Sequence, residues 1–457
     1  MNREQRTVLV ISAIGAFLTP FLLSSVNIAL PAIARDLRMN TMVMSWIPSS
    51  FLLSAAVFLL PAGKLADIFG RKQIFLLGII IFTLATLVAG MSVNAVMLIL
   101  SRIGQGIGST MVAATGTAMI TSVFPAGKRG RALGLNVSGV YIGLSAGPFI
   151  GGFLTEHLGW RSIFWAGIPV GLLVIFLVLV YLKSEWKSDL PAVFDWTGSL
   201  FYAVSLVLIM TGLPKLREGW GIAAVAAGMF LGILFLFYEK TARSPLIETS
   251  LLFRNRTFAF SNLAALINYS ATSAIVFLLS LYLQYIKHLG PRESGLIILT
   301  QPVLMALLSP ITGRLSDHIE PRIVASAGMA LCTTGLFILS GLQAETSVEW
   351  LLFALVVLGI GFALFSSPNT NAIMGSVSRE YLGVASAMVG TMRLTGQMMS
   401  MGIAMLVLSV FIGKNPINPS NQEAFLHASR VLFLSFSALS LLGVFASLAR
   451  GRNNTIK

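Results

Sequence analysis

The sequence predicts an all-α polytopic membrane protein of about fourteen transmembrane helices. Three observations carry that prediction. The 457 residues are 56% hydrophobic and only 11% charged, against about 25% charged residues in an ordinary soluble chain. Mean hydropathy is +0.86, and single aqueous cores stop growing near roughly 250–300 residues, so lipid must be the solvent for most of these side chains. Long apolar runs separated by short polar loops recur from end to end.

A spanning helix needs about 20 predominantly apolar residues. By that ruler the first four spans are Val8–Ala34, Ser45–Lys64, Gln73–Met91 and Ala95–Phe124. The next four are Ala132–Thr155, Ile163–Leu182, Phe194–Leu213 and Trp220–Tyr238. The last six are Thr257–Ile286, Gly295–Leu315, Ile323–Leu342, Trp350–Met374, Val384–Ile412 and Phe425–Ala449. The first apolar stretch is too long for the h-region of a cleavable signal. Fourteen is even, so both termini fall on one side. Taking that side as inside, its segments carry 20 Lys and Arg against 9 outside. The bias predicts cytoplasmic termini, and the lack of a targeting peptide and of any large glycosylatable outer loop points to a cell membrane of the prokaryotic inner type.

An internal repeat runs through the spans. Gly63, Leu65 and Asp67 at the end of span two recur as Gly313, Leu315 and Asp317 at the end of span ten. Gly106 and Gly108 of span four recur as Gly359 and Gly361 of span twelve, and Gly130 and Gly143 as Gly383 and Gly396. Spans one to six thus pair with spans nine to fourteen. The expected organisation is an N-terminal six-helix half at 1–182, an inserted two-helix region at 183–256 and a C-terminal six-helix half at 257–457. Parallel repeats of this kind form transporters with the substrate site between the halves, near the midplane.

Three motifs sharpen the reading. Gly63-Lys64-Leu65-Ala66-Asp67-Ile68-Phe69-Gly70-Arg71-Lys72 follows span two, Arg102-Ile103-Gly104-Gln105-Gly106-Ile107-Gly108 lies in span four, and a Gly-rich run with Gly139, Gly143, Gly147, Pro148, Gly151 and Gly152 fills span five. Together they resemble the major facilitator superfamily, and with the inserted pair the chain resembles its fourteen-helix drug/proton antiporter branch. The resemblance implies two six-helix repeats plus the inserted pair, alternating access, and a gating loop at Gly63, Asp67, Gly70, Arg71 and Lys72. The second copy supplies Gly313 and Asp317. It also implies an antiporter hinge in span five. Spacing alone shows a bare stripe that lets two helices approach closely, with Pro148 removing a backbone donor.

Charges inside the membrane are costly and mark function. Arg102 and Arg393 lie within spans four and thirteen. With Gln105, Gln397 and Asn27 they are the candidates for transport and coupling, although a residue near a helix end such as Arg102 can also snorkel. Polar residues that must turn inward add cavity candidates: Asn262, Tyr269 and Gln284 in span nine, Gln301 in span ten, and Asn369 and Asn371 in span twelve. No acid lies deep in a span. The antiporter branch often carries an Asp nine residues before a Pro in its first helix, where this chain has Leu22 before Pro31. Two intramembrane arginines without a matching acid favour a neutral or anionic substrate.

Other classes fit poorly. There is no nucleic-acid module behind the net charge of +14, and the basic residues read as orientation signals. One cysteine, Cys332, excludes an internal disulfide, and the four histidines show no metal-ligand spacing. No clustered nucleophile and base suggests an enzyme, and no Walker-type loop suggests direct ATP use. The expected protein is a non-enzymatic secondary transporter without cofactor. Its partners are a small molecule, the bilayer and protons as coupling ion, with a monomer as the expected state. It exports drug-like compounds or metabolites; the alternative is a dedicated anionic or neutral metabolite with other coupling.

Overall fold

A computed structural model describes residues 3–186, 193–242, 245–247, 251, 254–377, 382–413, 415, 417 and 421–451, apart from the side chains of 126–131, 133, 317, 382 and 383. Among these residues there is no β-strand, and fourteen helices are long and apolar enough to cross a membrane. They are α1 (Arg3–Asp36), α2 (Thr41–Phe69), α3 (Arg71–Gly90), α4 (Ala95–Val123), α5 (Ala126–Leu158), α6 (Arg161–Tyr181), α7 (Trp196–Gly212) and α8 (Gly219–Glu239). The second group is α9 (Arg256–Ile286), α10 (Pro291–His318), α11 (Pro321–Leu339), α12 (Val348–Gly375), α13 (Leu382–Phe411) and α14 (Gln422–Leu448).

Short polar residues start many of these helices by accepting an otherwise orphaned N–H. Asn40 takes the Val43 N–H at 2.8 Å, Asn94 that of Met97 at 2.9 Å, and Asn255 that of Phe258 at 3.0 Å. Gly70 separates α2 from α3 at a φ of 110°, a conformation open to glycine. Helix α9 is not continuous: it breaks at Ser273–Ala274 and ends in a π turn over Tyr282–Ile286. The Ser400 hydroxyl of α13 accepts the Ala274 N–H at 3.0 Å at the break.

The repeat seen in the sequence is a repeat of packing. Gly108 of α4 lies against the backbone of Gly78 and Phe82 in α3, while Gly106 lies against Phe51 and Ser54 in α2. In the second half, Gly361 of α12 meets Gly328 and Cys332 in α11, and Gly359 meets Gln301 and Leu304 in α10. Gly143 of α5 rests on the Phe17 carbonyl of α1, and Gly396 of α13 on the Leu266 carbonyl of α9. Small residues let helix backbones approach where lipid gives no hydrophobic drive to association. The inserted pair packs α7 on α8, with the Ser205 hydroxyl donating to the Gly228 carbonyl at 2.7 Å. It sits on the seam between α2 and α13: Tyr202 donates to the Ala56 carbonyl at 3.0 Å, and Ser409 to the Pro214 carbonyl at 3.0 Å. Met229, Phe230, Ile233 and Phe237 on α8 are exposed, as a lipid-facing surface requires.

Candidate functional site

At one end the two halves are hydrogen-bonded to each other. The face carrying both chain ends is here the terminal face, and its opposite the far face. At the far face Thr41 donates to the Asn415 carbonyl at 2.6 Å, and Gln284 to the Ile28 carbonyl at 2.8 Å. Glu156 at the end of α5 accepts the Arg292 N–H at 3.1 Å, so one half caps the first turn of a helix in the other. A Cβ on Gly152 would fall 2.6 Å from the Pro291 carbonyl. Deeper in, Ser49 meets the Met405 sulfur at 3.3 Å, and Tyr141 and Ser366 lie 3.4 Å apart.

At the terminal face the bonds in view lie within one half or reach the flanks of the inserted pair. Arg71 reaches Asp67 at 3.7 Å, the Ala118 carbonyl at 3.1 Å and Ser122 at 2.5 Å. The Arg71 and Lys72 N–H groups are held by Trp186 and Glu185, both at 2.9 Å. In the other half Asn371 donates to Ser316 at 3.0 Å and Asn255 to the Ser376 carbonyl at 2.5 Å. A Cβ on Gly63, Gly134 or Gly375 would meet nothing within 4 Å. Gly313 lies near Ser367 of its own half, and the Asp317 side chain lies outside the described residues.

Prolines supply two of the acceptors in this machinery. Proline has no N–H, so the carbonyl four residues earlier loses its helical partner. Pro31 leaves the Asn27 carbonyl open, and Ser280 of the opposite half donates to it at 2.8 Å. Pro148 leaves the Leu144 carbonyl open, and Ser24 of α1 donates to it at 3.3 Å. The contribution of Asn27 to the closed face is thus its backbone; its side-chain Oδ1 is buried without a partner. The glycine stripe of α5 fits onto α1: a Cβ on Gly139 would stand 2.7 Å from the Ala13 carbonyl, and one on Gly147 or Gly151 2.6 Å from Ser24 or Ser25.

The two intramembrane arginines have opposite surroundings. Arg102 does not snorkel and does not line the space between the halves. It is fully buried inside the first half, donating to Gln105 Oε1 at 2.6 Å and to the Ile47 carbonyl at 3.4 Å, with its guanidinium 4.5 Å from the Phe51 ring centroid. Gln105 passes the chain on to Thr86 at 2.8 Å. Arg393 is half-buried, twelve positions along α13, and no carboxylate pairs with it among the described residues. One turn on from Arg393, α13 packs against Tyr269: a Cβ on Gly396 would stand 2.8 Å from the Tyr269 side chain, and Arg393 and Tyr141 both lie within electrostatic range of Tyr269. Tyr269 packs on Phe362 at 5.5 Å, and both tyrosines lie against the cluster of Met305, Cys332 and Phe362. Groups from α5, α9, α10, α12 and α13 therefore converge at one level between the halves.

Residues 12–239 and 261–455 match the profile described as Major Facilitator Superfamily. The chain belongs to the major facilitator superfamily. It is 32% identical over 397 residues to the riboflavin transporter RibZ of Clostridioides difficile, covering 86% of this chain and 85% of that one. It is 30% identical over 418 residues to the multidrug resistance protein Stp of Mycobacterium tuberculosis (strain CDC 1551 / Oshkosh), covering 90% and 77%. The crystal structure of the human organic anion transporter MFSD10 superposes with a TM-score of 0.67 at 14% identity, over 97% of this chain and 99% of that one; at that identity the likeness shows the fold.

Within this major facilitator chain the other candidates divide by neighbour. Gln284 belongs to the far-face closure, and Asn371 ties α12 to α10 at the terminal face. Asn369 donates to the Ser261 carbonyl at 3.1 Å and Asn262 to the Phe258 carbonyl at 2.9 Å, so both bond to helix backbone. Gln301 is buried, with its carbonyl under Gly359. Gln397 is half-buried, one turn beyond Arg393. The sequence carries no signal that marks Tyr141, Met305 or Phe362 for the central cluster; Tyr141 sits inside a Gly-rich run whose packing role masks it. Asn268 was also missed: it is fully buried with both amide atoms unpartnered.

Proposed function

We propose that this transporter exports small organic molecules across a cytoplasmic membrane by alternating access, in exchange for protons. The observation that carries the reading is the asymmetry of closure: bonds from half to half at the far face, and at the terminal face bonds within a half or to the flank of the inserted pair. That asymmetry is what one of two access states requires. With residues 1–182 and 257–457 as the moving halves, the 20-to-9 basic bias puts the terminal face in the cytoplasm, and the observed state admits substrate from inside. In the opposite state the Asp67–Arg71 loop is the element placed to meet the second half. A single chain encloses the whole pathway, which supports a monomer.

Without an acid deep in a span, the carboxylates at moving junctions are the candidate proton carriers. Asp67 sits at the cytoplasmic mouth and Glu156 at the far-face junction. Protonating Glu156 removes the charge that caps α10 and so favours opening there. The relatives named for multidrug resistance and for riboflavin support organic cargo. The test is purified protein in proteoliposomes with an imposed pH gradient, offered ethidium, riboflavin and 2-naphthoate in turn. The reading expects uphill movement of at least one, abolished by a protonophore and reduced at least tenfold in Asp67→Asn. Absence of gradient-driven movement of all three, from folded protein, overturns it.

A further inference from the structure

We infer that the central site binds an aromatic organic anion, with Arg393 taking its acidic group and Tyr269, Tyr141 and Phe362 receiving its rings. The inference rests on the transporter reading above, which makes this level the substrate position. Of the two intramembrane arginines, Arg102 is out of reach of a ligand: it is fully buried and bonded inside the first half. Arg393 is half-buried on α13, one turn from where Gly396 packs on Tyr269, and no acid among the described residues pairs with it.

An uncompensated guanidinium in a low-dielectric site repels a cationic ligand and attracts an anion, and its planar fork suits a carboxylate or sulfonate. The other groups at this level are apolar rings, the Met305 thioether and hydroxyls: the Tyr269–Phe362 pair, Tyr141, and the Ser366 hydroxyl beside Tyr141. Rings and a polarizable sulfur take an aromatic body, and the hydroxyls take its polar edge. Tyr141 comes from the first half and the rest from the second, so such a ligand touches both halves and feels their relative motion.

The experiment measures binding of three probes with one ring system to the purified full-length protein: 2-naphthoate, 2-naphthamide and 2-naphthylmethylammonium. The site expects naphthoate to bind about ten- to hundredfold more tightly than naphthamide, the range of a charge-assisted bidentate pair, and the ammonium to bind most weakly. Arg393→Gln should bring naphthoate down to the naphthamide level while naphthamide binding, which reports the fold, stays unchanged. Tyr269→Leu should weaken naphthoate and naphthamide alike. The inference is overturned if the ammonium binds as well as naphthoate, if none of the three binds, or if Arg393→Gln leaves the naphthoate preference intact. Binding needs no gradient, so charge selectivity without proton-driven movement would overturn the antiport reading and leave the site standing.

Discussion

Glycine placement sets what each residue tolerates. A Cβ on Gly108 would stand 2.5 Å from the Gly78 carbonyl oxygen and 2.6 Å from the Phe82 nitrogen, both α3 backbone that cannot swing away. Gly108→Val is therefore expected to cost about 1–3 kcal/mol or more, read as a lowered unfolding temperature in detergent. Gly63, with open space where its Cβ would stand, is the contrast: Gly63→Ala should be neutral or gain about 0.5–1 kcal/mol in the helix interior. Gln105→Ala removes the acceptor of the Arg102 guanidinium and leaves a buried donor unpaired, costing about 1–3 kcal/mol. The same thermal measurement checks it, with unchanged naphthoate binding because Arg102 lies away from the central site. Arg102 also marks a limit of sequence reading. Its depth along α4 was legible, but whether it turns toward the cavity or into its own half depends on neighbours in α2 and α3.

Helices pack by stripes that sequence shows and close by contacts that it hides. The Gly139–Gly151 stripe predicted one close helix partner, and α1 is that partner. The break in α9 was not legible, because Ser273–Ala274 carries no proline or glycine and its N–H is met by Ser400 from another helix. Nor was the bond from Ser280 to the Asn27 carbonyl, which requires knowing that α9 faces α1 where Pro31 opened an acceptor. Ser280→Ala deletes that donor and should shift the equilibrium toward far-face opening by about fivefold, the worth of one ordinary hydrogen bond. In a Cys332→Ala background with Asn27→Cys as the reporter, an impermeant maleimide applied from the far face should label correspondingly faster. Unchanged labelling would mean the bond does not hold the closure.

At the scale of the whole molecule, composition and repeat together specified two six-helix bundles and an inserted pair. Hydropathy needs no tertiary knowledge, and matching glycines report matching helix contacts. Where the inserted pair sits was not legible: contacts such as Tyr202 on the Ala56 carbonyl and Pro214 under Ser409 place it on the α2–α13 seam. The access state is likewise a property of the assembled halves. The proposed cycle opens the far-face contacts at every turn, and Thr41 with the Asn415 carbonyl at 2.6 Å is the tightest of them. The most direct test is a disulfide across that contact, Thr41→Cys with Asn415→Cys in the Cys332→Ala background, assayed for gradient-driven movement in proteoliposomes. The account predicts transport arrested when the disulfide forms and restored on reduction; full transport with the bond intact would contradict alternating access through this face.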